Sequence, residues 1–144
     1  MRRTVSGEFD LAVSAAEATG FFTPEGERGW VPGWKPVYPS GEPSETPGTV
    51  FTTDAGVVDT IWVVMNIDRD GSSAAYSRVT PGHHAGTVQV RCEDRPEGGC
   101  VVSVTYDMSL LPGADPTGLD AYDDESFTVM LSEWATEVSQ TIGL

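Results

Sequence analysis

Basic residues are scarce in this chain. Of 144 residues, 8 are Lys or Arg and 22 are Asp or Glu, for a formal net charge of −14 and an isoelectric point near 4.2. No Lys, Arg or His follows Arg95. Nucleic acid and anionic membrane surfaces are therefore excluded as expected partners, because binding either needs a basic patch. Long apolar runs are missing as well. None approaches the roughly 18 residues of a spanning helix, so no membrane insertion is expected. Arg2-Arg3 begins like a twin-arginine signal, but Glu8 and Asp10 interrupt what should be apolar, and the cytoplasm is the expected compartment.

Catalytic signatures are also lacking. There is no nucleophile elbow, phosphate-binding loop, zinc spacing or Ser/His/Asp arrangement, and no cofactor or metal is expected. His83-His84 is the one histidine pair. Neighbours on a strand point to opposite faces, so the two do not readily hold one metal, though either could donate a proton at a cavity end. Cys92 and Cys100 flank an expected hairpin turn. Opposed strand positions suit a disulfide poorly and nothing points to export, so two half-buried thiols are expected.

What is present is patterned for one domain, residues 1–144. Val5 to Val13 alternates as a strand with one wet face, and Ser14 with Glu17 matches a capping box opening a short helix to about Phe22. Residues 23–48 are rich in Pro and Gly, yet carry Trp30, Trp34 and Tyr38. Part of this stretch suggests a second short helix from Glu25 to Trp30, and Val37-Tyr38 a short strand. Its aromatics imply a lid folded over something apolar.

A meander follows: Thr49–Thr53, Val58–Ile67, Ala74–Thr80, His84–Glu93 and Cys100–Leu111. Ile61 to Met65 is apolar on both faces, so its outer face is expected to be covered by the lid or by a partner subunit in a homodimer. The chain closes on a long amphipathic helix, Asp115 to Ile142. Phe127, Met130, Leu131, Trp134, Val138 and Ile142 share one face of it. Asp115-Pro116 offers an N-cap with proline at the first helical position; if the helix begins later, Asp123 is the cap.

With FFTPEGERGWVPGW, GTVFTT, SRVTPG and VTYDMSLL in this order, the chain resembles the helix-grip superfamily across essentially its whole length. That superfamily includes pollen-allergen-type carriers, steroidogenic-acute-regulatory-type lipid-transfer domains and polyketide cyclases. The resemblance implies an α+β fold: a seven-stranded curved antiparallel sheet, two short helices and one long C-terminal helix over an internal cavity. It carries over no catalytic residues, because the superfamily shares none.

Candidate cavity residues are Trp34, Trp62, Met65, Tyr76, Arg78, Tyr106, Met108, Phe127, Met130 and Trp134. Aromatics and methionines make adaptable pocket walls, and equally an ordinary core. Arg78, in mid-strand, either sits on the wet face beside an acid, which is the expected place, or projects inward to hold a ligand's carboxylate or enolate. Tyr106 either bonds backbone or water, or orients a bound carbonyl. Three functions follow: carriage of a small hydrophobic molecule, a polyketide cyclase/dehydrase-like enzyme, or a protein-interaction domain resembling the chaperone activators of this fold.

Overall fold

The structure, a computed structural model, describes residues 1–143. Its elements are β1 (Arg2–Leu11), α1 (Ala15–Gly20), β2 (Val50–Asp54), β3 (Asp59–Asp68), β4 (Ser73–Thr80), β5 (His84–Asp94), β6 (Cys100–Leu110) and α2 (Asp124–Ile142). The strands form one antiparallel sheet in the order β1-β6-β5-β4-β3-β2. Consecutive strands are neighbours throughout the meander, and β1 closes onto β6, with Val5 opposite Tyr106.

The sheet has six strands, not the expected seven. Val37 makes a single bridge to Thr52 and extends no further. Pro36 and Pro39 flank it, and proline removes the N–H that a longer ladder would use. The expected helix at Glu25–Trp30 is a short 3-10 turn, Gly26–Gly29. Ser14 caps α1 by accepting from the Glu17 N–H at 3.2 Å.

The long helix starts at Asp124 rather than Asp115. Asp115 instead closes a turn on itself, its carboxylate accepting from the Thr117 N–H at 2.9 Å and hydroxyl at 2.8 Å. Such local bonds compete with helix formation. Asp123 is the true cap and accepts from the Ser126 N–H at 2.7 Å. Phe127, Leu131 and Val138 of α2 are buried against the sheet. The helix lies close on Gly7 of β1, where an added Cβ would stand 2.7 Å from Leu131 Cδ1. Glycine there lets the helix lie down on the strand.

Inward positions run Trp62 and Val64 on β3, Tyr76 and Arg78 on β4, Val88 and Val90 on β5, and Val104, Tyr106 and Met108 on β6. The outer face of β3 is not covered by the lid: Ile61 and Met65 are exposed. The lid tryptophan Trp34 packs on the inner face instead, against Phe51 and Trp62. Cys92 and Cys100 are free and fully buried. No helix among the described residues is long and apolar enough to cross a membrane.

Candidate functional site

Sheet, lid and α2 do not close completely on one another. Between them lies a cavity of about 180 Å³. Its floor is Phe51, Trp62, Tyr76, Arg78, Val88, Val90 and Tyr106; its roof is Glu27, Val31 and Trp34 of the lid, with Phe22 and Trp134 closing one side. Aromatic rings set the shape. Phe51 and Trp62 stack with centroids 5.8 Å apart and planes 1° from parallel, and Tyr76 meets both edge-on.

The lid is fixed by its own polar tips. Trp30 Nε1–H donates to the Phe21 carbonyl at 2.7 Å, Trp34 Nε1–H to the Pro24 carbonyl at 2.8 Å, and the Tyr38 hydroxyl to Glu25 at 2.8 Å. Each of these aromatics covers apolar area while its polar tip stays bonded. Arg69 fastens the 40–48 loop through both Glu45 carboxylate oxygens, at 2.9 and 2.6 Å.

Arg78 is the unusual member. It points inward, not to the wet face, and is only 9% exposed. Its guanidinium carbon lies 5.2, 5.3 and 5.5 Å from the ring centroids of Tyr106, Trp62 and Tyr122. Nη2 donates to the Tyr122 hydroxyl at 2.7 Å and contacts His84 Nε2 at 3.2 Å. That nitrogen therefore serves as the acceptor, leaving the imidazole proton on Nδ1. Burial, with the Arg78 and His83 charges, lowers the His84 pKa to about 4, so the ring is neutral at pH 7.

Among the described residues no carboxylate forms an ion pair with Arg78. The ion pairs among the described residues are Arg2–Asp107, Arg28–Glu25, Arg69–Glu45 and Arg95–Asp10, all at the surface. Arg78 Nε is buried without a hydrogen-bond partner. A buried guanidinium with a spare donor, in a chain so rich in acids, is a strong demand for an anion. On its other side Arg78 borders an open hollow of about 290 Å³, lined also by Thr60, Thr80, His83, His84 and Tyr122. Arg78 thus divides an apolar inner chamber from a polar outer one.

Glu27 is the carboxyl of the inner chamber. The residue as a whole is half-buried, and burial alone raises its carboxyl pKa to about 8. It carries a proton at neutral pH. Tyr76 and Tyr106 are raised above the ordinary phenol range, burial being the main cause in both. Tyr76 donates to the Phe22 carbonyl at 2.6 Å.

Of the expected cavity residues, Trp34, Trp62, Tyr76, Arg78, Tyr106 and Trp134 meet at this space. Met108 and Phe127 are buried in the adjoining core, where Phe127 packs edge-on against Tyr106 at 5.2 Å, and Met130 is half-buried against that core. Met65 is misplaced: it is 46% exposed at a bulge between Val64 and Asn66, on the face opposite Trp62 and Val64. Sequence reasoning passed over Glu27, Phe51 and Tyr122. The signal for Glu27 was its position before Trp30 in a segment already read as a lid; Tyr122 lay inside the overextended helix.

No protein-family model matches the sequence, and no curated protein matches it. Solved structures do match in shape. An uncharacterised protein of Rhizobium leguminosarum superposes with a TM-score of 0.70 at 15% identity, over 97% of this chain and 96% of that one. Norcoclaurine synthase from Thalictrum flavum, in complex with dopamine and hydroxybenzaldehyde, gives 0.66 at 12% identity, over 99% and 87%. A Thermobifida fusca protein gives 0.65 at 18% identity, over 92% and 90%. The fold is the helix-grip fold, with six strands among the described residues.

Proposed function

We propose that this protein, acting as a single domain, binds a small molecule with a ring-sized apolar body and one anionic group. The body lies against the aromatic walls and the anion pairs with Arg78. The observation that carries this reading is the buried guanidinium, without an ion pair among the described residues, inside an aromatic box. Size narrows it. A dry apolar cavity of about 150 Å³ accepts benzene, whereas drug-sized ligands occupy roughly 300–1,000 Å³. At about 180 Å³ the inner chamber suits a single substituted ring and not a long acyl chain. The expected small hydrophobic molecule is thereby refined to a small aromatic acid.

Titration calorimetry with benzoate and with toluene tests this, using wild type and Arg78→Met. Benzoate binds wild type and loses about tenfold or more in Arg78→Met, since a charge-assisted contact is removed. Toluene changes little. Equal benzoate affinity in the two proteins would sink the reading.

A second reading, a cyclase/dehydrase-like enzyme, is supported by Glu27. The Glu27 carboxyl shares the chamber with Arg78: in its ionised form, reached as pH passes about 8, it would accept the substrate's C–H proton while Arg78 stabilises the enolate oxygen. It requires accelerated hydrogen–deuterium exchange at the methylene of phenylpyruvate above about pH 8, abolished in Glu27→Gln; exchange at the uncatalysed rate removes it.

A further inference from the structure

Among the polar groups that line the inner chamber, Arg78 and Glu27 differ in character: the first is a charge, the second a carboxyl whose pKa burial raises to about 8. Arg78 rises from the floor on β4; Glu27 enters from the roof on the lid. The backbone of Glu27 is held from several sides. Its N–H donates to the Thr23 carbonyl at 3.0 Å, and its carbonyl accepts from the Val31 N–H at 2.9 Å and the Trp30 N–H at 3.3 Å. The preceding Gly26 packs so tightly on the end of α1 that an added Cβ would stand 1.8 Å from the Gly20 carbonyl oxygen. The turn that delivers Glu27 is built to a fixed position, yet the carboxyl it delivers has no compensating charge or hydrogen bond: burial is the sole cause of its shift. A carboxyl placed so firmly and left unpaired in an aromatic box has hydrogen-bonding capacity to offer a ligand, as donor and acceptor while protonated.

We infer that Glu27 is the specificity-determining second contact of the ligand, and that the ligand class is a hydroxylated aromatic acid. Its carboxylate meets Arg78 and its ring hydroxyl meets the neutral Glu27 carboxyl across the same chamber. This rests on the reading proposed above, and it adds a discrimination that Arg78 alone does not supply. An unsubstituted ring leaves the Glu27 carboxyl without a partner, which is where polar sites gain their selectivity. The charged and titratable groups facing Glu27 are Arg78 and Tyr76 on β4 and Tyr106 on β6; both phenols are raised, so Glu27 alone among the three acids ionises near pH 8.

The test is calorimetry with benzoate and its three monohydroxy isomers on wild type, Glu27→Leu and Glu27→Gln. In wild type at neutral pH, at least one isomer binds about tenfold tighter than benzoate. In Glu27→Leu that advantage is lost: the ratio of isomer affinity to benzoate affinity falls to about one. Benzoate affinity in wild type falls as pH rises through about 8, when Glu27 ionises beside the bound anion, and is flat in Glu27→Gln. Glu27→Gln keeps the side-chain volume, so the pH comparison stands even if Glu27→Leu fails to fold. Benzoate binding with no isomer preferred, an advantage that survives Glu27→Leu, or a pH profile unchanged in Glu27→Gln overturns the inference and leaves the Arg78 reading intact. Failure of every acid to bind overturns both.

Discussion

Arg78 of β4 and Tyr122 of the segment before α2 meet at 2.7 Å, Nη2 donating to the hydroxyl, across 44 residues of chain. The tyrosine ring also stacks obliquely on Tyr106, with centroids 5.7 Å apart. One side chain thus anchors the linker between sheet and helix to the cavity's own arginine. The Tyr122 hydroxyl, having accepted, retains its proton for a further partner in the outer hollow.

Replacing Tyr122 by Phe is therefore expected to cost about 1–2 kcal/mol, because a hydrogen bond to a charged group is lost while the ring contacts stay. Urea denaturation of wild type and variant measures it. An unchanged midpoint would show that the linker is held by other means, of which the Arg3 bond to the Leu119 carbonyl is one.

Glu27 gives stability a dependence on pH that carboxylates rarely give. Its carboxyl ordinarily titrates near 4.5 and here near 8, so the folded state holds a proton that the unfolded state releases between those values. By linkage, stability falls as pH rises from about 4.5 through about 8, then levels. Glu27→Gln removes that loss. Its advantage over wild type is expected to be absent near pH 4.5 and to grow until about pH 8. Thermal melts of the pair across this range check it; a constant difference contradicts the burial of the carboxyl.

His84 acts at the opposite end of the scale. Its pKa is lowered from 6.5 to about 4, so the unfolded chain takes up the proton first, and stability is lost as pH falls from about 6.5 to about 4. His84→Gln is expected to flatten that part of the acid limb by one proton's worth of slope. The difference between variant and wild type isolates His84 from the many carboxylates titrating nearby. Identical slopes would place the imidazole in solvent.

Period and punctuation made the architecture legible. Alternation at Val102, Val104, Tyr106 and Met108 fixed the inward face of β6, and the spacing of Phe127, Leu131 and Val138 fixed the buried face of α2. Residues whose role depends on a distant partner were not legible. Arg78 read as a surface residue because polar outward residues are otherwise scarce on its strand; that Trp62, Tyr106 and Tyr122 converge on it appears only in three dimensions. Met65 failed for a local reason, since a strand apolar on both faces does not say which one is inside. The start of α2 went wrong at Asp115, where N-cap and turn chemistry use the same residue types.

On the proposed function, Arg78 is the anion contact of a partly open, ring-sized site. A crystal structure of the wild-type protein with benzoate tests it most directly. The ring is expected inside the chamber between Trp62 and Trp134, with a carboxylate oxygen at hydrogen-bonding distance from the Arg78 guanidinium. Benzoate found only on the surface, or bound inside with its carboxylate turned away from Arg78, would contradict it.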